Sequence, residues 1–284
     1  MPELPEVETI ARRLREHGPD GDESPSLIGR RIRKVDVLWD RTVAEPAASE
    51  LSERAAGQVI ETIGRRGKFL VMGLSRGWLI FHLRMSGDLI VETPGGPPAP
   101  HDRLVIEFTD GLRLRFNDTR KFGRVWLLDD PGLLLGALGP EPLDSSLTPV
   151  EFHSRLASRK RKIKPLLLDQ TFLAGVGNIY ADEALFLAGI HPLAQSKQLD
   201  AEAAGLLLDS IRSVLTEGIN RNGASIDWVY RGGGYQERFQ VYQRGGEPCL
   251  RCGTRIRRIE VGQRGTHFCP RCQPLHPRFD VEAP

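Results

Sequence analysis

Apolar side chains recur at three- and four-residue intervals at the start of the chain, where Val7, Ile10 and Leu14 share one face of an expected helix. Between residues 28 and 128 the pattern changes to short apolar or alternating runs at 32–39, 59–63, 69–74, 78–83, 88–91, 104–108, 112–116 and 124–128, separated by turns such as Ser75-Arg76-Gly77 and Asp110-Gly111. Near-regular spacing of this kind predicts an antiparallel β-sandwich or barrel. Residues 139–149 are rich in proline and serine, the composition of a linker. Helical periodicity then returns at 150–158, 163–169, 179–188 and 201–220, before a short tail containing glycine and cysteine. The expected class is α+β, with a helix and sandwich over 1–138, a linker over 139–149, a helical domain over 150–240 and a separate module over 241–284.

Composition narrows the range without changing this plan. At 284 residues the chain has room for two domains and a small third module, at roughly 150 residues per domain. Hydrophobic residues at 40% and charged residues at 27% exclude a wholly disordered or fibrous chain. Apolar stretches such as 69–74 and 133–138 fall far short of the roughly 20 residues that span a bilayer. The acidic start (Glu3, Glu6, Glu8) is unlike a secretory signal, so a cytoplasmic protein with no membrane partner is expected. Net charge is only 39 − 37 = +2, but it is segregated. Arg155, Arg159, Lys160, Arg161, Lys162 and Lys164 cluster without an acid, and seven arginines stand against Glu247 and Glu260 between Arg244 and Cys272. A nucleic-acid binder distributes charge in this way, although either run alone also fits a solvated face.

Three local patterns carry chemistry. Cys249, Cys252, Cys269 and Cys272 are the only cysteines and form two Cys-x-x-Cys knuckles, suited to one structural zinc ion. Two disulfides or a redox pair are the alternatives; a reducing compartment disfavours the first, and two knuckles the second. Arg264 lies in this module, which would present cations to phosphate. In Leu173-Ala-Gly-Val-Gly-Asn-Ile179 the glycines permit close backbone approach, and Asn178 stands where a helix N-cap belongs, so the first amides of the next helix would face an anion. A plain helix-turn-helix is the simpler reading of that segment. Finally, removal of Met1 would expose a secondary amine at Pro2. An α-amino group with a pKa of about 7.7–8.0 is unprotonated in a useful fraction near neutrality and can attack a sugar anomeric carbon, with Glu3 available for proton transfer.

With Met1-Pro-Glu-Leu-Pro-Glu6, Gly67-Lys68-Phe69, His82-Leu-Arg-Met-Ser-Gly87, Asp118-Thr-Arg-Lys-Phe-Gly123, Gly175-Val-Gly-Asn178, Val241-Tyr-Gln-Arg244 and the cysteine knuckles in this order, the chain resembles the bacterial formamidopyrimidine-DNA glycosylase / endonuclease VIII family. The start favours the formamidopyrimidine branch. The resemblance implies a helix-two-turn-helix DNA-binding domain and a four-cysteine zinc finger behind the sandwich. It implies Pro2 as the Schiff-base nucleophile, Glu3 as the acid that assists sugar-ring opening and Lys68 as a cation near the phosphate and leaving base. Met85, Arg120 and Phe122 would fill the duplex where the damaged nucleotide has flipped out. His101, Lys164, Asn178 and Arg264 would hold phosphates, and Glu6 and Glu183 would line the substrate pocket.

The implied activity is a bifunctional glycosylase and AP lyase on oxidised purines (8-oxoguanine, formamidopyrimidines) in duplex DNA, working as a monomer at the bacterial nucleoid. A glycosylase for oxidised pyrimidines and a non-catalytic zinc-containing DNA binder are the rivals. Two segments depart from the family: 17–26 reads as a polar insertion, and 225–236 is shorter than the loop the family closes over 8-oxoguanine, which bears on base specificity.

Overall fold

The computed structural model describes residues 1–16, 25–93, 97–225 and 232–275. Most of the 17–26 insertion and half of the 225–236 loop therefore lie outside the described residues. Contacts divide the chain into two compact units, Met1–Ala137 with Asn222–Gly233, and Leu138–Arg221 with Gly234–Pro284.

The first unit opens with α1 (Leu4–Arg15), entered through a capping box in which the Glu6 carboxylate accepts the Glu3 N–H at 2.7 Å. Its buried stripe of Val7, Ile10, Ala11 and Leu14 enters a core shared with the strands. These are β1 (Ile32–Val37), β2 (Val43–Glu45), then helix α2 (Ala48–Ala55), β3 (Ile60–Arg66), β4 (Phe69–Leu74), β5 (Trp78–His82), β6 (Gly87–Glu92), β7 (Asp102–Phe108), β8 (Arg113–Asp118) and β9 (Arg124–Leu128), followed by the single turn α3 (Gly132–Leu135). They form a four-stranded sheet β1-β7-β8-β6 and a five-stranded sheet β2-β9-β5-β4-β3. Pairing is antiparallel except between β2 and β9. Leu70, Met72 and Phe81 of the larger sheet and Leu114 and Phe116 of the smaller one lie in one apolar cluster, which makes the unit a sandwich.

A hydrogen bond and an ion pair fix how α1 lies along β3. The Arg15 guanidinium donates to the Ile63 carbonyl at 3.2 Å, and one helical stretch earlier Glu8 accepts from Arg65 Nε at 2.9 Å. Walking back along the helix thus means walking forward along the strand, toward the β3–β4 turn. Arg66 pairs with Phe69, so that turn has two residues, Gly67 and Lys68, with Gly67 at φ 57° as a tight hairpin requires at its first position. The start of the chain and Lys68 consequently lie toward the same end of the unit.

The second unit holds α4 (Pro149–Ala157), α5 (Ile163–Leu168), α6 (Asn178–Leu187) and α7 (Ala201–Asn220), then a hairpin of β10 (Arg257–Val261) and β11 (Arg264–Phe268). Thr148 and Asp200 cap α4 and α7 through their side-chain oxygens. The proline-rich 139–149 segment is not a loose connection. Prolines leave carbonyl oxygens without neighbouring N–H partners, and the Arg212 guanidinium of α7 donates to three of them, Pro142, Asp144 and Leu147. Among the described residues no helix is long and apolar enough to cross a membrane.

Candidate DNA-repair site and zinc centre

At the start of the first unit Pro2 and Glu3 are buried, as is Lys68 at the hairpin turn. Glu6 is 2% exposed; beyond its bond to Glu3 it accepts the Ala224 N–H at 2.8 Å. Gly223, at φ +79°, lies so close that a Cβ there would stand 2.7 Å from the Glu6 carboxylate. Glu6 thus organises this end of the unit by satisfying backbone donors.

His82, a member of the His82–Gly87 motif, ends β5 and is buried. Burial first, then the positive charges of Arg84 and Lys68, push its imidazole down to about 3. The ring is neutral, its Nδ1 accepts the Arg84 N–H at 3.0 Å, and Phe69 packs edge-on at 4.6 Å.

Met85 is 40% and Phe122 51% exposed, and Arg120 is exposed beside them with its Nη1 3.5 Å from Met85 Sδ. Large apolar side chains at the tips of two loops would have been core residues on composition alone; here they stand in solvent with a planar cation. The support beneath them is Asp118, fully buried at the end of β8. Its carboxylate accepts the Ser86 hydroxyl, the Arg120 N–H at 3.2 Å and the Gly123 N–H at 2.7 Å, while its own N–H donates to the His101 carbonyl at 2.9 Å. The carboxylate joins the loops that carry Met85, Arg120 and Phe122, and the backbone N–H of the same residue ties in His101. His101 is exposed at φ 77°, on a turn held by Asp102, which accepts from Ala99, Arg115 and Asn117.

In the second unit two expectations need correction. Gly177, not Asn178, is the N-cap of α6; Asn178 is the first helical residue, and its Nδ2 donates to the Gly265 carbonyl at 3.0 Å. Lys164 is not an exposed phosphate ligand. Its ammonium is fully buried, 2.5 Å from Asp182 Oδ1 and 3.3 Å from the Gly265 carbonyl, because α5 packs it against α6 and β11. Asp182 also accepts the His267 N–H at 2.9 Å. Lys164, Asp182 and Asn178 therefore fix the strand next to Arg264, which is itself exposed. Glu183 is 2% exposed and accepts the N–H groups of Gln240, Val241 and Tyr242 at 2.8–3.0 Å. Burial pushes its carboxyl up, while those three donors pull it down.

The cysteines are free thiols whose Sγ atoms all lie within 4.8 Å of one another, with Cys249–Cys272 at 3.9 Å and Cys252–Cys269 at 3.5 Å. A tetrahedron with Zn–S bonds of about 2.3 Å has edges of about 3.8 Å, so the set fits one zinc ion and leaves no position for substrate. Cys249 and Cys269 also pack with Val241, Ile256 and Phe186, a core too small to fold without the metal.

With this geometry established, comparison with known proteins is decisive. Domain models match in sequence: the formamidopyrimidine-DNA glycosylase N-terminal domain over residues 1–125, its H2TH domain over 138–229, and the zinc finger found in FPG and IleRS over 246–275. The formamidopyrimidine-DNA glycosylase of Chloroflexus aggregans is 48% identical over 97% of this chain and 99% of its own, and that of Chloroflexus aurantiacus 48% over 96% and 98%. The chain belongs to the formamidopyrimidine-DNA glycosylase family. Among solved structures, Lactococcus lactis Fpg (MutM) with FAPY-dG-containing DNA superposes with a TM-score of 0.87 at 38% identity, covering 96% of this chain and 100% of that one. The same protein with DNA containing an abasic site gives 0.87 at 37% identity over the same shares. The four cysteines of this family member form its zinc finger and hold one structural zinc ion.

Two predictions follow from the buried histidine and the metal centre. His82 is neutral in the fold but takes up a proton in the unfolded chain below about 6.5, so its contribution to stability is present above that pH and is lost as pH falls toward 3. Between pH 8 and 5 the wild type should lose about 2 kcal/mol more than His82→Gln in urea titrations; equal losses would mean that His82 is not held neutral. Metal analysis should give one zinc per chain, and chelation should abolish amide-exchange protection in residues 241–275 while leaving that of β4, β5 and β9 intact.

Proposed function

We propose that the chain is a bifunctional DNA glycosylase and AP lyase that removes oxidised purines from duplex DNA. The observation that carries this reading is a buried Pro2-Glu3 start lying toward the same end of the first unit as the Lys68 hairpin, in a unit whose loops also expose Met85, Arg120 and Phe122. The relatives named formamidopyrimidine-DNA glycosylase support the substrate class, as do the DNA-bound neighbours containing 8-oxo-G and FAPY-dG.

After removal of Met1 the Pro2 nitrogen attacks C1′ of the flipped nucleotide. The N–C1′ bond forms as the glycosidic bond breaks, and the base departs with the electron pair and a proton. Glu3 protonates the ring oxygen as the sugar opens, giving an iminium. Loss of the C2′ proton expels the 3′ phosphate, and a second elimination expels the 5′ phosphate, leaving a one-nucleotide gap. Lys68 offsets negative charge on phosphate and leaving base. Met85 and Phe122 fill the vacated stack, and Arg120 meets the orphaned partner base. His101, Arg264 and the first amides of α6 bind flanking phosphates.

In this reading residues 1–138 carry the chemistry, 139–149 connect, and 150–240 and 241–284 bind the duplex. The protein acts as a monomer in the cytoplasm, on the chromosome.

Borohydride trapping tests the nucleophile. Wild type should give a covalent adduct with an 8-oxoguanine duplex, and a chain with Met1 retained by a preceding tag should give none; full trapping by the blocked chain would move the role to a lysine. Opposite-base preference tests Arg120. Its donor-only fork suits the adjacent O2 and N3 acceptors of cytosine but meets the amino group of adenine head-on. Excision opposite cytosine should be about ten- to a hundredfold faster than opposite adenine, and Arg120→Ala should shrink that ratio. A full ratio in the variant would remove Arg120 from this role.

A further inference from the structure

We propose that Trp39 is a positioning residue for opposite-base discrimination: its indole holds the Lys121 ammonium and thereby fixes the loop from which Arg120 projects. This rests on the reading of Arg120 given above.

Residues 119–123 join β8 to β9, and Lys121 lies between Arg120 and Phe122. Its backbone is left-handed at φ 60°, a conformation uncommon for a residue with a Cβ and one that must be held by its surroundings. One hold is local: the Lys121 N–H donates to the Asp118 carbonyl at 3.4 Å. The other comes from the β1–β2 connection, where the Lys121 Nζ sits 4.0 Å from the centroid of the Trp39 ring. Lys121 and its neighbour Arg120 are both exposed, but only the Lys121 ammonium lies over the Trp39 indole, so the two side chains are held apart.

Trp39 is suited to this because it is itself anchored. The half-buried residue donates its backbone N–H to the Arg103 carbonyl at 3.2 Å and accepts the Thr42 N–H at 2.8 Å. Arg103 in turn donates from Nε to the Asp118 carbonyl at 2.8 Å. The path from Trp39 through Arg103 and the path through Lys121 both end on the same carbonyl oxygen. This closed circuit limits how far the loop can shift without breaking a hydrogen bond or leaving the indole face. None of its members needs to touch DNA to act. A guanidinium that must distinguish the edges of two bases depends on sub-ångström placement, whereas attack by Pro2 does not involve this loop.

Single-turnover excision of 8-oxoguanine opposite cytosine and opposite adenine tests the inference in wild type, Arg120→Ala, Trp39→Leu, Trp39→Tyr and Lys121→Met. A single-stranded abasic oligonucleotide, which offers no partner base, reports the lyase chemistry alone. Trp39→Leu should lower the cytosine-to-adenine ratio about three- to tenfold with an unchanged lyase rate, and Trp39→Tyr should restore most of it. Lys121→Met should lower the ratio similarly, and combining it with Trp39→Leu should add no further loss. The inference is overturned if Trp39→Leu keeps the full ratio while Arg120→Ala loses it, or if Trp39→Leu slows the single-stranded reaction by the same factor as the duplex one. If Arg120→Ala also keeps the full ratio, the reading of Arg120 falls and this inference with it.

Discussion

A carboxylate removed from water must be given donors, and Asp118 receives them from backbone and side-chain groups of separate loops. The cost of leaving those oxygens bare exceeds what any one loop would gain by straying, so the tips that carry Met85, Arg120 and Phe122 are set by a group that never reaches solvent. The same logic recurs at Glu6, which holds the Glu3 and Ala224 amides, and at Asp182, which holds Lys164 and the far end of β11 at His267. Flexible surface loops are made definite by buried anions, and the exposed side chains inherit that definition.

The helical start of the chain shows a second way of achieving register. Glu8 sits among Arg12, Arg15 and Arg65, and none of these pairs is individually worth much at a partly exposed site. Together with the apolar stripe beneath them, they permit one alignment of α1 on β3. That alignment sends the first residues toward a two-residue hairpin whose geometry leaves little freedom for Lys68.

Features whose determinants are close together in sequence were legible before the fold was known. The limits of β4, β9 and α7 follow from apolar runs bounded by turn residues, and the thiolate cluster from two knuckles that each contain their own spacing. The reading failed where a partner comes from far away. Lys164 belongs to a basic run and reads as exposed, yet its burial depends on Asp182 and on Gly265, 101 positions later. Asn178 was displaced by one residue as a cap because its amide bonds to Gly265 rather than to its own helix. Helix α2 buries only Leu51 and Ala55, too few to create a visible period, and β2 is three residues long. Asp118 was in plain view inside a motif, but nothing local indicates that Ser86 would meet it.

Chain order and unit order differ in this protein. The stretch 222–233 leaves the second unit after α7 and belongs to the first, where Ala224 binds Glu6; it returns at Gly234, whose N–H donates to the Arg221 carbonyl at 2.8 Å. The two units are thus stitched by three covalent crossings rather than one. A gene cut after residue 137 would encode a first unit lacking its own strap, with Glu6 missing a donor, so the halves cannot be exchanged between relatives as simple cassettes.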